Sequence, residues 1–220
     1  MSSIVSFIGW HDSGKTTLAK QVVSELKKLG YRVAVIKSSN DSGIQFDTPG
    51  TDTFMHKEAG ADSVMLVAPD QMVLQTKNSG LSLRTLAHRY FPDVDIVIGE
   101  GFKTAKHIPK IEVFRNCDQK LRNEVQGVIA VATDVEGVAG NYVFRLNEAA
   151  EIALFIEKRF LIRKEGREIT ALLVNGNKIP LKDFIQESLA GTVHGFVKTL
   201  KLTKDIKEID LRIKIEPEEK

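Results

Sequence analysis

Apolar positions recur along the chain in two alternating rhythms. Residues 4–8 form a short continuous apolar run that stops at Gly9, the pattern of a strand buried on both faces. Over residues 15–29 the spacing becomes helical, with Leu18, Val22, Leu26 and Leu29 on one face and Gly30 as a C-terminal stop. The two rhythms then repeat. Further strands are predicted over 31–36, 63–68, 72–76, 94–98, 110–114 and 127–132, with Pro69-Asp70 joining 63–68 to 72–76 as a hairpin. Helices are predicted over 53–59, behind Asp52 as a candidate N-cap, over 81–90 with Leu83, Leu86 and Ala87 inward, and over 147–160. This alternation predicts an α/β fold whose sheet is mostly parallel and covered on both faces, with some antiparallel content from the hairpin.

The pattern changes near Phe160. Residues 169–174 read as a strand, Asn175-Gly176 as a tight hairpin turn, and Pro180 precedes a long helix over 181–200. The apolar face of that helix would be Phe184, Ile185, Leu189, Val193, Phe196 and Leu200. Ile209, Leu211, Ile213 and Ile215 alternate with polar residues, which predicts a last strand with one buried face. Two domains are expected: residues 1–160, and a small α+β unit over 165–216. Such a unit buries too little surface to be robust alone. Some apolar face of it must meet the first domain, a second copy of the chain, or another protein.

Composition narrows the class. Of 220 residues, 42% are hydrophobic and 27% charged, enough for an ordinary globular core. A mean hydropathy of −0.12 and the absence of a long apolar run argue against a membrane span. No basic leader precedes the first strand and Cys117 is the single cysteine, so a reducing cytoplasm is expected. The net charge of +2 leaves no basic excess for general nucleic-acid binding.

Chemistry enters at Gly9-Trp10-His11-Asp12-Ser13-Gly14-Lys15-Thr16, which fits G-x-x-x-x-G-K-[ST] directly between a strand and a helix. That is the context of a P-loop. Its glycines bring backbone N–H groups onto phosphate oxygens, and the helix adds its positive end. Lys15 is expected on the β and γ phosphates, Thr16 on Mg²⁺ and Thr17 on an α-phosphate oxygen. His11 could touch phosphate or face solvent. Glu100 stands just past the end of an apolar strand, where ligands bind in such sheets, while Asp95 would lie at the strand's far end. Asp47 and Asp52 bracket Pro49-Gly50 in a polar loop suited to holding Mg²⁺ or the attacking water. Asp134 follows a strand and could accept from guanine, or serve a plain turn.

The chain resembles the molybdopterin-guanine dinucleotide biosynthesis protein B (MobB) family in several ordered blocks. These are the loop ending Lys15-Thr16-Thr17, then Lys37, then Asp47-Thr48-Pro49-Gly50-Thr51-Asp52-Thr53 and Ala59-Gly60-Ala61. Asp95-Ile96-Val97-Ile98-Gly99-Glu100-Gly101-Phe102-Lys103 and Pro109-Lys110-Ile111-Glu112-Val113-Phe114-Arg115 complete the set. The chain departs from the family where Ser38-Ser39-Asn40 stand in place of a His after the lysine, and where Thr51 stands in place of Lys. The resemblance implies a dimeric GTP-binding protein with weak GTPase activity. It would assist a separate guanylyltransferase that adds GMP to molybdopterin.

The expected function is therefore a cytoplasmic Mg-GTP-binding accessory protein, at most a slow GTPase. Asp47 and Glu100 are the candidate catalytic and metal carboxylates beside Thr16. Lys103, Lys110 and Arg115 are candidates for a pterin phosphate. A small-molecule kinase with Asp47 as base, and a nucleotide-gated adaptor without chemistry, are the alternatives.

Overall fold

The structure, a computed structural model, describes residues 2–116, 120–162, 169–175, 177–201 and 205–213. Residue contacts divide the chain into two units, 1–162 and 163–220.

The first unit is built on a six-stranded sheet in which every pairing is parallel. Its strands are Ser3–Ile8 (β1), Val33–Lys37 (β2), Ile96–Glu100 (β5), Lys110–Val113 (β6), Val128–Ala132 (β7) and Val143–Phe144 (β8). They lie in the order β2-β5-β1-β6-β7-β8. The antiparallel content is a separate hairpin of Ser63–Val67 (β3) and Met72–Thr76 (β4). Helices Lys15–Lys28 (α1), Asp52–Glu58 (α2), Leu83–Tyr90 (α3) and Ala149–Ile156 (α4) alternate with these strands.

Side-chain alternation explains the continuous apolar strands. On one face Val5, Phe7, Ile96, Ile98, Ile111 and Val113 pack with Leu18, Val22 and Leu26 of α1 and with Ile152 and Ile156 of α4. On the other, Ile4, Ala34 and Val97 pack with Leu83 and Ala87 of α3. Both faces are covered, so both sets of alternate positions are mainly apolar. The buried polar exceptions are hydrogen-bonded: Ser6 Oγ donates to Gly101 O at 2.8 Å, and Glu112 Oε1 accepts from Leu121 N and Arg122 N. Gly99 lets α3 approach, because a Cβ there would lie 2.8 Å from Leu83 Cδ2.

Three local expectations are corrected. Asp52 is the first residue of α2 and not its cap; Thr51 caps it, with Oγ1 accepting from Phe54 N. The helix expected over 147–160 ends as α at Ile156 and finishes in a π-helical turn, Glu157–Leu161. In the second unit, Leu172–Val174 (β9) and Asn177–Ile179 (β10) form the expected hairpin, followed by Asp183–Lys198 (α5). Asn175 takes a positive φ of 50° in the turn, and Gly176 lies outside the described residues. The last strand does not form over 205–213, where Leu211 and Ile213 are exposed, and Ile215 lies outside the described residues. Alternation alone cannot make a strand without a neighbouring edge to pair with.

Helix α5 also presents a different face from the one expected. Gln186 is its buried residue: Oε1 accepts from Ile169 N at 3.1 Å and Nε2 donates to Leu181 O at 3.2 Å. Phe184 and Phe196 are exposed instead.

Candidate functional site

A parallel sheet sends the carboxyl ends of its strands to one edge. At that edge the 9–16 loop leaves β1, Lys37 ends β2, Glu100 ends β5, and Arg115 and Asp134 follow β6 and β7. The loop needs its glycines. A Cβ on Gly9 would lie 2.2 Å from Val113 O and 2.6 Å from Ser13 Oγ, and Gly14 has φ 91° at the start of α1. Asp12 also takes a positive φ, 56°.

Helix α1 begins without a side-chain cap and with no acidic residue in its first turn. Its first N–H groups are therefore left for another acceptor. Ser13 is fully buried, and its hydroxyl has no hydrogen-bond partner.

Cationic groups gather here. Lys15 Nζ donates to Trp10 O at 2.6 Å, and Lys103 Nζ stands 4.1 Å from the centre of the Trp10 ring. The Arg115 guanidinium lies beside Gly14, 3.2 Å from where a Cβ would stand. Lys37 and Glu100 are register partners on adjacent parallel strands, so their side chains leave the sheet together, and Lys37 Nζ meets Glu100 Oε1 at 3.2 Å. Burial, then the Lys103 charge, and further off the Lys37 charge hold the Lys15 ammonium below the usual lysine range against the pull of Glu100 and Asp12. An excess of positive charge around open helix N–H groups favours a bound anion.

Glu100 is buried, and its Oε1 accepts from Thr16 Oγ1 at 2.5 Å. The pair supplies hard oxygen donors of the kind Mg²⁺ takes. Among the described residues no group of three or more His, Cys, Asp or Glu could hold a metal unaided. A Mg²⁺ ion would therefore need oxygens from its ligand and from water.

Other candidates are placed differently. Lys110 is buried at the start of β6, with Nζ donating to Ala105 O at 2.6 Å, Gln126 O at 2.8 Å and Ile108 O at 3.2 Å. This corrects its expected place beside Arg115, because β6 runs between the two. Asp47 turns into its own loop: Oδ1 accepts from Thr48 N and from Thr51 Oγ1, both at 2.9 Å. Hydroxyl donation from Thr53 and Thr51 holds its carboxyl below the usual range. Asp134 Oδ1 accepts from Leu146 N at 3.0 Å, tying the chain after β7 to the chain after β8, and His11 pairs with Asp12 at 2.8 Å in the open. Thr17 is exposed on the first turn of α1. The Lys103–Trp10 stack and the Lys37–Glu100 pair are site features that no sequence motif marks. The signal available for Lys37 was its place at the end of an apolar strand.

Residues 4–134 match the profile of the molybdopterin guanine dinucleotide synthesis protein B family. The molybdopterin-guanine dinucleotide biosynthesis adapter protein of Haemophilus influenzae is 34% identical over 157 residues, which is 70% of this chain and 87% of that protein. A Methanocaldococcus jannaschii protein, carrying the same adapter name provisionally, is 26% identical and covers 96% of this chain and 97% of its own length. A crystal structure of a molybdopterin-guanine biosynthesis protein B superposes with a TM-score of 0.58 at 32% identity, over 70% of this chain and 98% of that one. With both faces of the sheet, the loop after β1 and the match across most of the first unit in agreement, this chain belongs to the molybdopterin-guanine dinucleotide biosynthesis protein B family.

Proposed function

We propose that the first unit binds Mg-GTP at the 9–16 loop and acts as an adapter to a guanylyltransferase that attaches GMP to molybdopterin. The observation that carries this reading is the Thr16–Glu100 contact beside Lys15 at an uncapped helix start. Lys15 and the loop N–H groups would hold the β and γ phosphates. Gly9, Ser13 and Gly14 shape the cradle, and Asp12, His11 and Thr17 line it. Thr16 and Glu100 would hold Mg²⁺, which supplies charge neutralisation on the phosphates. Lys103 and Arg115 stand where they would meet a further phosphate, such as that of the pterin.

The reading gives slow hydrolysis. Glu100 is engaged by Thr16 and Lys37, and Asp47 is held by its own loop, so neither is free to orient water. Arginine fingers are worth about 10³–10⁵ in rate, and an adapter needs none of it. The protein would work in the cytoplasm as a homodimer. The β3–β4 hairpin supports this, because Val67 (71% exposed) and Met72 (64%) sit on an isolated ribbon that cannot bury them itself.

The test is to titrate GTP and ATP separately with Mg²⁺ and to follow phosphate release. Tighter GTP binding with slow release is expected. Equal affinity for the two nucleotides removes the guanine reading, and transfer of phosphate to a small acceptor replaces the adapter with a kinase. If Asp134→Asn leaves the GTP/ATP ratio unchanged, backbone groups read the base.

A further inference from the structure

Where β2 and β5 end, two side chains of opposite charge leave the sheet side by side. Lys37 and Glu100 are register partners, and Ser38 N donates to Glu100 O at 2.9 Å, so the pairing runs one residue past Lys37. The backbone under Lys37 is therefore fixed on the β5 side. Its side chain has room: 59% of it is exposed, against 10% for Glu100. The flexible four-carbon stem of a lysine lets the ammonium move while the backbone stays.

Glu100 Oε1 carries two donors at once, Thr16 Oγ1 at 2.5 Å and Lys37 Nζ at 3.2 Å. Lys37 thus rests on the same oxygen that receives the hydroxyl of the phosphate loop. Two other ammonium groups share this corner, Lys15 on the Trp10 carbonyl and Lys103 over the Trp10 ring. The charges of Lys103 and Lys37 both bear on Lys15, whereas Asp12, another acid that acts on it, is exposed and paired with His11. Among the described residues, the ion pair that Lys37 makes is the one with Glu100.

A phosphate loop cradles the α and β phosphates with its backbone N–H groups and leaves the third phosphate at the lysine and the metal-binding hydroxyl. Here those groups are Lys15 and Thr16. A third phosphate would therefore arrive beside Glu100, at the corner where Lys37 stands. A metal ion held by Thr16 and Glu100 would compete with Lys37 for the carboxylate, and the third phosphate would offer the ammonium a new anionic partner. A diphosphate in the same cradle ends before that corner and offers none.

We propose that Lys37 is a specificity-determining residue that reads the third phosphate: its ammonium rests on Glu100 and passes to the terminal phosphate when a triphosphate is bound. This rests on the reading of the 9–16 loop as a Mg-nucleotide site and adds to it a means of telling triphosphate from diphosphate. A plain ion pair closing the end of β2 would act alike with every ligand, and exposed pairs of that kind contribute little.

The test compares the full chain with Lys37→Met, which keeps the stem and removes the charge, after circular dichroism has shown both to be folded. Mg-GTP, Mg-GDP, magnesium tripolyphosphate and magnesium pyrophosphate are each titrated by calorimetry. Lys37→Met should weaken GTP and tripolyphosphate by about tenfold, the lower end of what a charge-assisted hydrogen bond is worth. GDP and pyrophosphate should stay within about threefold of the parent. The preference for three phosphates over two would then fall by the same tenfold in both pairs of probes, whatever base is attached. An equal loss for all four probes would make Lys37 a general source of positive charge and overturn the proposal. So would an unmoved or raised preference for three phosphates, which would confine Lys37 to Glu100. Either result leaves the loop as a nucleotide site. Failure of the parent to bind any of the four probes would instead overturn that reading, and this proposal with it.

Discussion

Lys15 stands among positive neighbours, and its ammonium is held below the usual range by burial and then by Lys103, with Lys37 adding to the effect. It must be charged to hold phosphate. As pH rises, affinity for inorganic triphosphate should therefore start to fall below the ordinary lysine pKa of about 10.4. Removing Lys103 raises the Lys15 pKa, so Lys103→Met should move the fall to higher pH while weakening binding overall. Calorimetric titration across the alkaline range reads both effects, and an unmoved midpoint would refute the coupling. Lys110 has a different part. Lys110→Met leaves the buried Ile108 carbonyl without this donor and removes it also from the part-buried bonds to the Ala105 and Gln126 carbonyls. With one fully buried carbonyl left unsatisfied, urea unfolding should show a loss of about 1–3 kcal/mol, with triphosphate affinity of the folded protein unchanged. The sequence revealed Lys15, Thr16 and Glu100 because their places at strand and helix ends fix their positions. It misled at Lys110 because a motif gives neighbours along the chain, whereas the ends of one strand belong to opposite edges of the sheet.

Strands and helices were legible where burial acts on both faces. Residues 96–98 have no polar position because α1 covers one side and α3 the other. The pattern failed at 209–213, where Leu211 and Ile213 are exposed, and along α5, where Gln186 and not Phe184 or Phe196 is buried. Loop geometry was legible through glycine. Gly9→Ala would drive a Cβ into Val113 O, which is backbone and cannot rotate away. That variant should lose triphosphate affinity by more than about tenfold, ~1.4 kcal/mol, and unfold at lower temperature; binding at parental strength would show that the loop is not the cradle. The β3–β4 ribbon makes its own expectation. If it joins two copies, Val67→Asp should lower the solution mass by light scattering, and an unchanged mass would remove the hairpin from the interface.

On the scale of the whole molecule, the first unit holds every candidate phosphate contact, and α5 holds none. The Haemophilus influenzae relative matches 70% of this chain, whereas the Methanocaldococcus jannaschii relative spans 96% of it. Ending the chain after Ile162 should leave GTP affinity within about threefold of the full chain, and a folded truncation weakened tenfold or more, ~1.4 kcal/mol, would make the second unit part of the site. The central claim is that the 9–16 loop, with Lys15 at its end, binds Mg-GTP. Its most direct test is a calorimetric titration of Mg-GTP into the full chain and into Lys15→Ala, with circular dichroism confirming that both are folded. The account predicts saturable one-site binding to the parent and no measurable heat with the variant. Binding to Lys15→Ala within about threefold of the parent would contradict it.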